Sequence, residues 1–196
     1  MREGRLALIL VLLFLASSHS PSLLSENTPR SQSSHEESPL DLVLIGNSYT
    51  SNNQLHVRVD NLLDASGHDA GVDSLTSGGK RLSWHGEQAE TVGTEWYDEL
   101  RKPHDYVILQ DQSQVPGFPT SSSYWQESYQ GSQIIDELVE SYGGDTFFFM
   151  TWGYRFGDSN NQWRYPDYPT MQHHLKTGYL AYAENLSTPE RPVFIA

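Results

Sequence analysis

The chain of 196 residues has no cysteine, so whatever fold it adopts is held without disulfides. Basic residues are scarce. Twelve Lys and Arg face 25 Asp and Glu, a formal net charge of -13, and a surface of that sign repels nucleic-acid phosphates. The acidic residues are scattered rather than blocked, so there is neither an acidic tail nor a dedicated acidic site. No G-x-G-x-x-G follows the first apolar strand and no Gly-Lys-Ser of the Walker type occurs, which excludes the usual nucleotide-binding domains. No internal repeat is present. Long apolar runs are missing too, with one exception, Leu6 to Ala16, which is shorter than the roughly 20 residues a membrane span needs.

That run follows Arg2 and Arg5 and precedes the small residues Ala16, Ser17, Ser18 and Ser20, the pattern of a secretory signal peptide over residues 1–20. An uncleaved anchor is the alternative; cleavage leaves a secreted or extracytoplasmic protein with no stable membrane insertion. Residues 21–39 are rich in Ser, Pro, Glu, Asn and Gln and read as a disordered linker, because they carry too little apolar surface to order themselves. The folded domain is expected over residues 40–196, enough for one core. Asn185-Leu186-Ser187 is a glycosylation sequon, of consequence only in a host that glycosylates.

Within the domain, strand and helix signals alternate. Strands are expected at Leu42–Ile45, Gly71–Leu75, Tyr106–Leu109 and Thr146–Met150, with a fifth starting at Val193. Helices are expected over Asn53–Ala65, with Leu55, Val59, Leu62 and Leu63 on one face, around Thr94–Arg101, over Tyr124–Tyr142 and over Thr170–Asn185. Such alternation implies a parallel sheet covered on both faces. The apolar run Leu42–Ile45 leads into Gly46-Asn47-Ser48, and the carboxyl ends of strands are where open α/β sheets bind ligands. Taken alone, Asn47, Ser48, Thr50 and Ser51 read as helix caps. The second strand runs into Ser77-Gly78-Gly79 and the third into Gln110-Asp111-Gln112-Ser113, at the same sheet edge. Together these suit acyl transfer: Ser48 as nucleophile, with its own N–H, the N–H of a second-loop glycine and the Gln112 carboxamide as oxyanion donors.

The order Gly-Asn-Ser-Tyr-Thr, Gly-Gly-Lys-Arg-Leu, Leu-Gln-Asp-Gln-Ser, each after an expected strand, resembles the SGNH/GDSL hydrolase superfamily from about Leu40 to the end. Gly46-Asn47-Ser48 matches the first block, with Asn47 in place of the usual Asp. Gly79, with Gly78 as the near alternative, matches the second-block glycine. Gln112 falls where the third block has its oxyanion asparagine, as in the sialate O-acetylesterase-like branch. The resemblance implies a three-layer, flavodoxin-like α/β/α fold with a mostly parallel sheet of about five strands. It also implies hydrolysis of small-molecule or carbohydrate esters, with no metal and no organic cofactor.

The family's last block, Asp-x-x-His, is not found. His173 and His174 lie inside an expected helix, and Asp167 is six residues before His173. His85, His56, His68 and His104 read as ordinary polar residues. Pro192–Ala196 reads as a strand cut short, so the expectation is a fold incomplete at its C-terminus, the runner-up being a naturally short, inactive relative. The loop from Trp152 to Tyr168 interleaves aromatics with Asn, Asp, Gln and Arg. Trp152, Tyr154 and Trp163 are candidates for stacking on sugar rings; the alternative is that the aromatics only pack the loop down. A catalytically inactive carbohydrate-binding module is the competing function.

Overall fold

The structure is a computed structural model that describes residues 38–196; the signal peptide and nearly all of the linker read from the sequence lie outside the described residues. Strand β1, Leu40–Gly46, is the centre of the molecule, and all of it but Asp41 is buried. It pairs in parallel with β2 (Ala70–Thr76) on one side and β3 (Tyr106–Leu109) on the other. Strands β4 (Asp145–Phe148) and β5 (Phe194–Ile195) extend the sheet, which is entirely parallel in the order β2-β1-β3-β4-β5.

Side chains alternate strictly across the pleat. Val43, Ile45, Val107, Leu109 and Phe148 enter the larger core, while Leu40, Leu42, Leu44, Ile108 and Phe147 enter the smaller one. Helix α1 (Ser48–Ser51) directly follows β1, and α2 (Leu55–Ala65) covers the smaller core with Leu55, Val59 and Leu63. The opposite face is covered by α3 (Leu82–Glu90), α4 (Glu95–Glu99), α5 (Ser123–Ser141) and α6 (Tyr168–Leu186), which contribute Leu82, Ala89, Ile135, Val139, Tyr179 and Tyr182.

The elements depart from the expected ones in three places. The helix expected from Asn53 is divided: a 3-10 turn separates α1 from α2, and Gln54 sits at φ 52, a left-handed conformation that forces the break. Helix α6 begins at Tyr168 rather than Thr170, because Asp167 Oδ1 accepts the Thr170 N–H at 2.8 Å and Pro169 is tolerated in a first turn. Helix α3 was not anticipated at all. Its buried face is Leu82, His85, Gly86 and Ala89, helical spacing written in residues too small or polar to read as an apolar stripe.

That face is small because α3 lies against the backbone of α5. A Cβ built on Gly86 would stand 2.7 Å from the Gly131 Cα, and one on Gly131 would collide with the Leu82 carbonyl. The α3 N-terminus has no cap of its own. Asp111, after β3, accepts the Leu82 N–H at 2.9 Å instead.

Candidate active site

The chain leaves β1 towards β2 on one side, and β3 continues to β4 on the other, so a crevice opens beyond the carboxyl ends of β1 and β3. Ser48 stands there, exposed, at the first position of α1. The buried residue before it does more than cap. Asn47 Oδ1 accepts the Tyr49 N–H at 3.1 Å, while its Nδ2 donates to the Lys80 carbonyl at 3.1 Å and to Gln112 Oε1 at 2.7 Å. One amide thus ties the three strand-end loops together.

The bonding also fixes which way each amide points. Because the Tyr49 N–H can only donate, Asn47 presents Oδ1 to it and turns its NH2 outward. Gln112 must answer that NH2 with its oxygen, which leaves the Gln112 NH2 as the outward donor. Ser48 N–H and Gly79 N–H also have no acceptor among the described residues. Gly79 holds φ 68 in the turn closed by Lys80 N–H to Ser77 O at 3.2 Å, a conformation that suits glycine. The structure therefore ties together the loops that carry Ser48, Gly79 and Gln112, with three donors left open.

Beneath this arrangement, the Gln110 side chain accepts the Asn47 N–H at 3.0 Å and the Thr50 hydroxyl at 2.9 Å, and donates to the Asp111 carbonyl. Asp111 is fully buried. Its Oδ1 receives Leu82 N–H, Gln112 N–H at 2.8 Å and Ser128 Oγ at 3.1 Å, and its Oδ2 receives the Tyr182 hydroxyl at 3.2 Å. Burial pushes its carboxyl up to about 6, against the pull of these donors. Nothing in the local sequence marks Asp111 as the hub that joins α3, α5 and α6 to the Gln112 loop, since each partner is remote in the chain.

On the other flank, Trp152 packs on Tyr49, ring centroids 4.8 Å apart, and stays 45% exposed. Tyr154 is half-buried and its hydroxyl meets Ser113 Oγ at 2.5 Å, so it anchors the loop after β4 to the loop after β3. Burial beside Tyr154 raises the Tyr49 phenol to about 12. Trp152, Gly153, Arg155 and Tyr168 line a depression of about 480 Å³. Trp163 is 73% exposed and is not part of that lining, whereas Tyr165 from the same loop is completely buried. The loop is thus split between packing and display.

None of the described histidines hydrogen-bonds Ser48. His56 Nδ1 lies 3.3 Å from Ser74 Oγ, and His173 and His174 stack along α6. His104 is not an ordinary polar residue: it is buried, with Nδ1 2.5 Å from Asp41 and Nε2 3.0 Å from the Glu99 carbonyl. Nor is His85, which is completely buried and accepts the Trp96 indole N–H at 3.0 Å. Its desolvation, with Lys80 nearby, lowers it to about 4. Among the described residues, no group of three His, Asp or Glu is placed to hold a metal ion.

The two buried titrating groups work in opposite directions on stability. Asp111 is raised from 3.8 to about 6, so the folded protein holds a proton that the unfolded chain lacks, and stability falls as pH rises through that interval. His85 is lowered from 6.5 to about 4, so the unfolded chain takes the proton first, and stability falls as pH drops. The windows overlap from roughly pH 4 to 6, where the two slopes oppose. Asp111→Asn is expected to add a positive slope, relative to wild type, of up to about 1.4 kcal/mol per pH unit there, and His85→Gln a negative one. Urea midpoints at pH 4.5 and 5.8 check this; a variant whose profile parallels the wild type refutes its assignment.

No family model matches this sequence, and no curated protein matches it. Solved structures do. A protein from Slackia heliotrinireducens assigned to the SGNH hydrolases superposes with a TM-score of 0.61 at 20% identity, covering 75% of each chain. A lipase/acylhydrolase from Enterococcus faecalis gives 0.52 at 12% identity, covering 79% of this chain and 74% of that one. A mutant acetyl-xylooligosaccharide esterase from Geobacillus gives 0.52 at 15%, covering 75% and 73%. The chain has the flavodoxin-like α/β/α fold of the SGNH hydrolases.

Proposed function

We propose that this protein is an exported serine esterase acting on small-molecule or carbohydrate esters, O-acetyl groups among them. One observation carries the reading: Asn47 draws the Lys80 carbonyl and Gln112 around Ser48 and leaves three donors unengaged beside it. In this reading Ser48 Oγ attacks the ester carbonyl, and the N–H groups of Ser48 and Gly79 with the Gln112 NH2 receive the oxyanion. Each such donor is worth roughly 3 kcal/mol of barrier. Trp152 walls the alcohol side, and Tyr154 holds that wall to the oxyanion loop. Export rests on the composition of residues 1–20. A fold seen in esterases, including one for acetylated xylo-oligosaccharides, supports the substrate class without fixing it.

The test is labelling by a fluorophosphonate probe. Covalent modification mapped to Ser48 is expected; a folded protein that stays unlabelled sinks the proposal. It would favour the second reading, an inactive carbohydrate-binding module, for which the specific observation is that no described histidine reaches Ser48 and activates it.

The amide relay makes its own prediction. In Asn47→Asp the carboxylate can only accept, so Gln112 rotates to donate its NH2 inward and the oxyanion loses a donor. The turnover of p-nitrophenyl acetate is expected to fall about 10²-fold with KM changed less than about twofold. A rise in KM alone would refute the relay.

A further inference from the structure

We propose that the depression beside Ser48 binds a carboxylate, so that the ester removed sits on an acidic sugar such as a uronate rather than on a neutral one. The ester part of this statement rests on the esterase reading; the carboxylate site does not.

The depression starts at the nucleophile. Trp152 stands on Tyr49, the residue after Ser48, and its exposed face continues into a hollow of about 480 Å³ lined by Gly153, Arg155 and Tyr168. That volume lies in the range of small-ligand sites. Trp152 and Tyr168 are each 45% exposed, which offers flat apolar surface to the carbon face of a sugar ring. Arg155 is the one charged side chain in the lining.

Its state is unusual for a cation in a protein of net charge -13. Arg81, Lys102 and Arg191 each meet a carboxylate within 3 Å. The Arg155 guanidinium instead lies over the Phe156 ring, 5.1 Å from its centroid, with no carboxylate partner among the described residues. The acidic side chains of the same loop are otherwise engaged. Asp158 is buried and accepts from Asn160 N–H at 3.0 Å and from the Asn161 amide, while Asp167 Oδ1 is held by the Thr170 N–H. The guanidinium fork is thus free for an oxyanion from outside, and its planar donors match a carboxylate in two-point contact.

The loop on the other side of Ser48 repeats the arrangement. Lys80, whose carbonyl is held by Asn47, carries its ammonium over the Trp84 ring at 5.1 Å, likewise with no carboxylate partner among the described residues. The β2 and β4 loops therefore each offer a ring-held cation flanking the nucleophile. A neutral substrate uses neither; an acidic one needs local positive charge to approach a surface of this net charge.

The experiment uses the full chain carrying Ser48→Ala, so that binding is read apart from catalysis. Trigalacturonate and xylotriose are titrated by calorimetry, with and without Arg155→Gln, a change at an exposed side chain that leaves the fold in place. Trigalacturonate is expected to bind at least tenfold more tightly than xylotriose. Arg155→Gln should erase most of that preference, Arg155→Lys should keep part of it, and salt should weaken only the acidic ligand. Equal affinities, no saturable binding of trigalacturonate, or an unchanged ratio in Arg155→Gln would each overturn the proposal. Fluorophosphonate labelling of the wild type is read separately: labelling without acidic preference removes the carboxylate site alone, and preference without labelling removes the esterase alone.

Discussion

Alanine at position 48 is expected to bring fluorophosphonate labelling to background and to cut p-nitrophenyl acetate hydrolysis by about 10³-fold or more, the scale of losing a nucleophile. The loss should come without a stability change. Ser48 is exposed and makes no side-chain hydrogen bond among the described residues, so its thermal midpoint is expected to shift by no more than about 0.5 kcal/mol of stability. Gln112→Leu provides the graded comparison. It keeps the nucleophile and removes one oxyanion donor, for an expected fall of about 10²- to 10³-fold. Persistent labelling in the Ser48→Ala protein would place the nucleophile elsewhere and dismiss the site.

The largest structural effect is expected at a residue that carries no chemistry. Gly131→Ala gains helix propensity of about 1 kcal/mol in the middle of α5. Against that, the new methyl meets the Leu82 carbonyl and the Ser83 backbone, which cannot rotate away as a side chain would. Overpacking of this kind costs about 1–3 kcal/mol, and more when both partners are backbone, so destabilisation of about 3 kcal/mol is expected to win over propensity. The effect should reach the site. Helix α3 starts at Leu82, three residues after Gly79, and its first N–H is held by Asp111. Moving α3 off α5 displaces the Gly79 donor, and a misplacement of about 1 Å costs about 10² in rate. Urea denaturation, with labelling rates measured where the variant is still folded, tests both halves. An unchanged or raised midpoint would refute the packing account.

These two positions mark the limits of what could be read from the chain. Ser48 was legible because its neighbours are: an apolar run, a glycine, and then small polar residues at a strand end report their environment locally. The same holds for Gly79 and Gln112, each at the end of a recognisable strand. Helix α3 was hidden because its buried face is matched to a backbone, so the residues it needs are Gly86 and Ala89 rather than Leu or Val. Asp111 and His85 were equally silent. An Asp in a strand-end loop and a His in a polar stretch look like surface residues until remote partners bury them.

The aromatic loop was half legible. Its composition suggested ring stacking, but composition cannot tell which rings face outward. Tyr165 is buried, Tyr154 is an anchor, and Trp152 earns its place beside Ser48 only through Tyr49.

By itself, then, the sequence determined the alternating strands and helices, the parallel sheet and the three loops with their serine, glycine and carboxamide, because each is written in hydrophobic period and turn chemistry within a short window. The tertiary structure alone decided that Asn47 joins those loops and sets the direction of the Gln112 amide. It alone decided that Asp111 caps a helix begun 29 residues earlier, and that Arg155 is left without a carboxylate partner among the described residues. A hydrogen bond depends on where two groups meet in space, and that meeting exists only once the sheet has brought its strand ends to one edge.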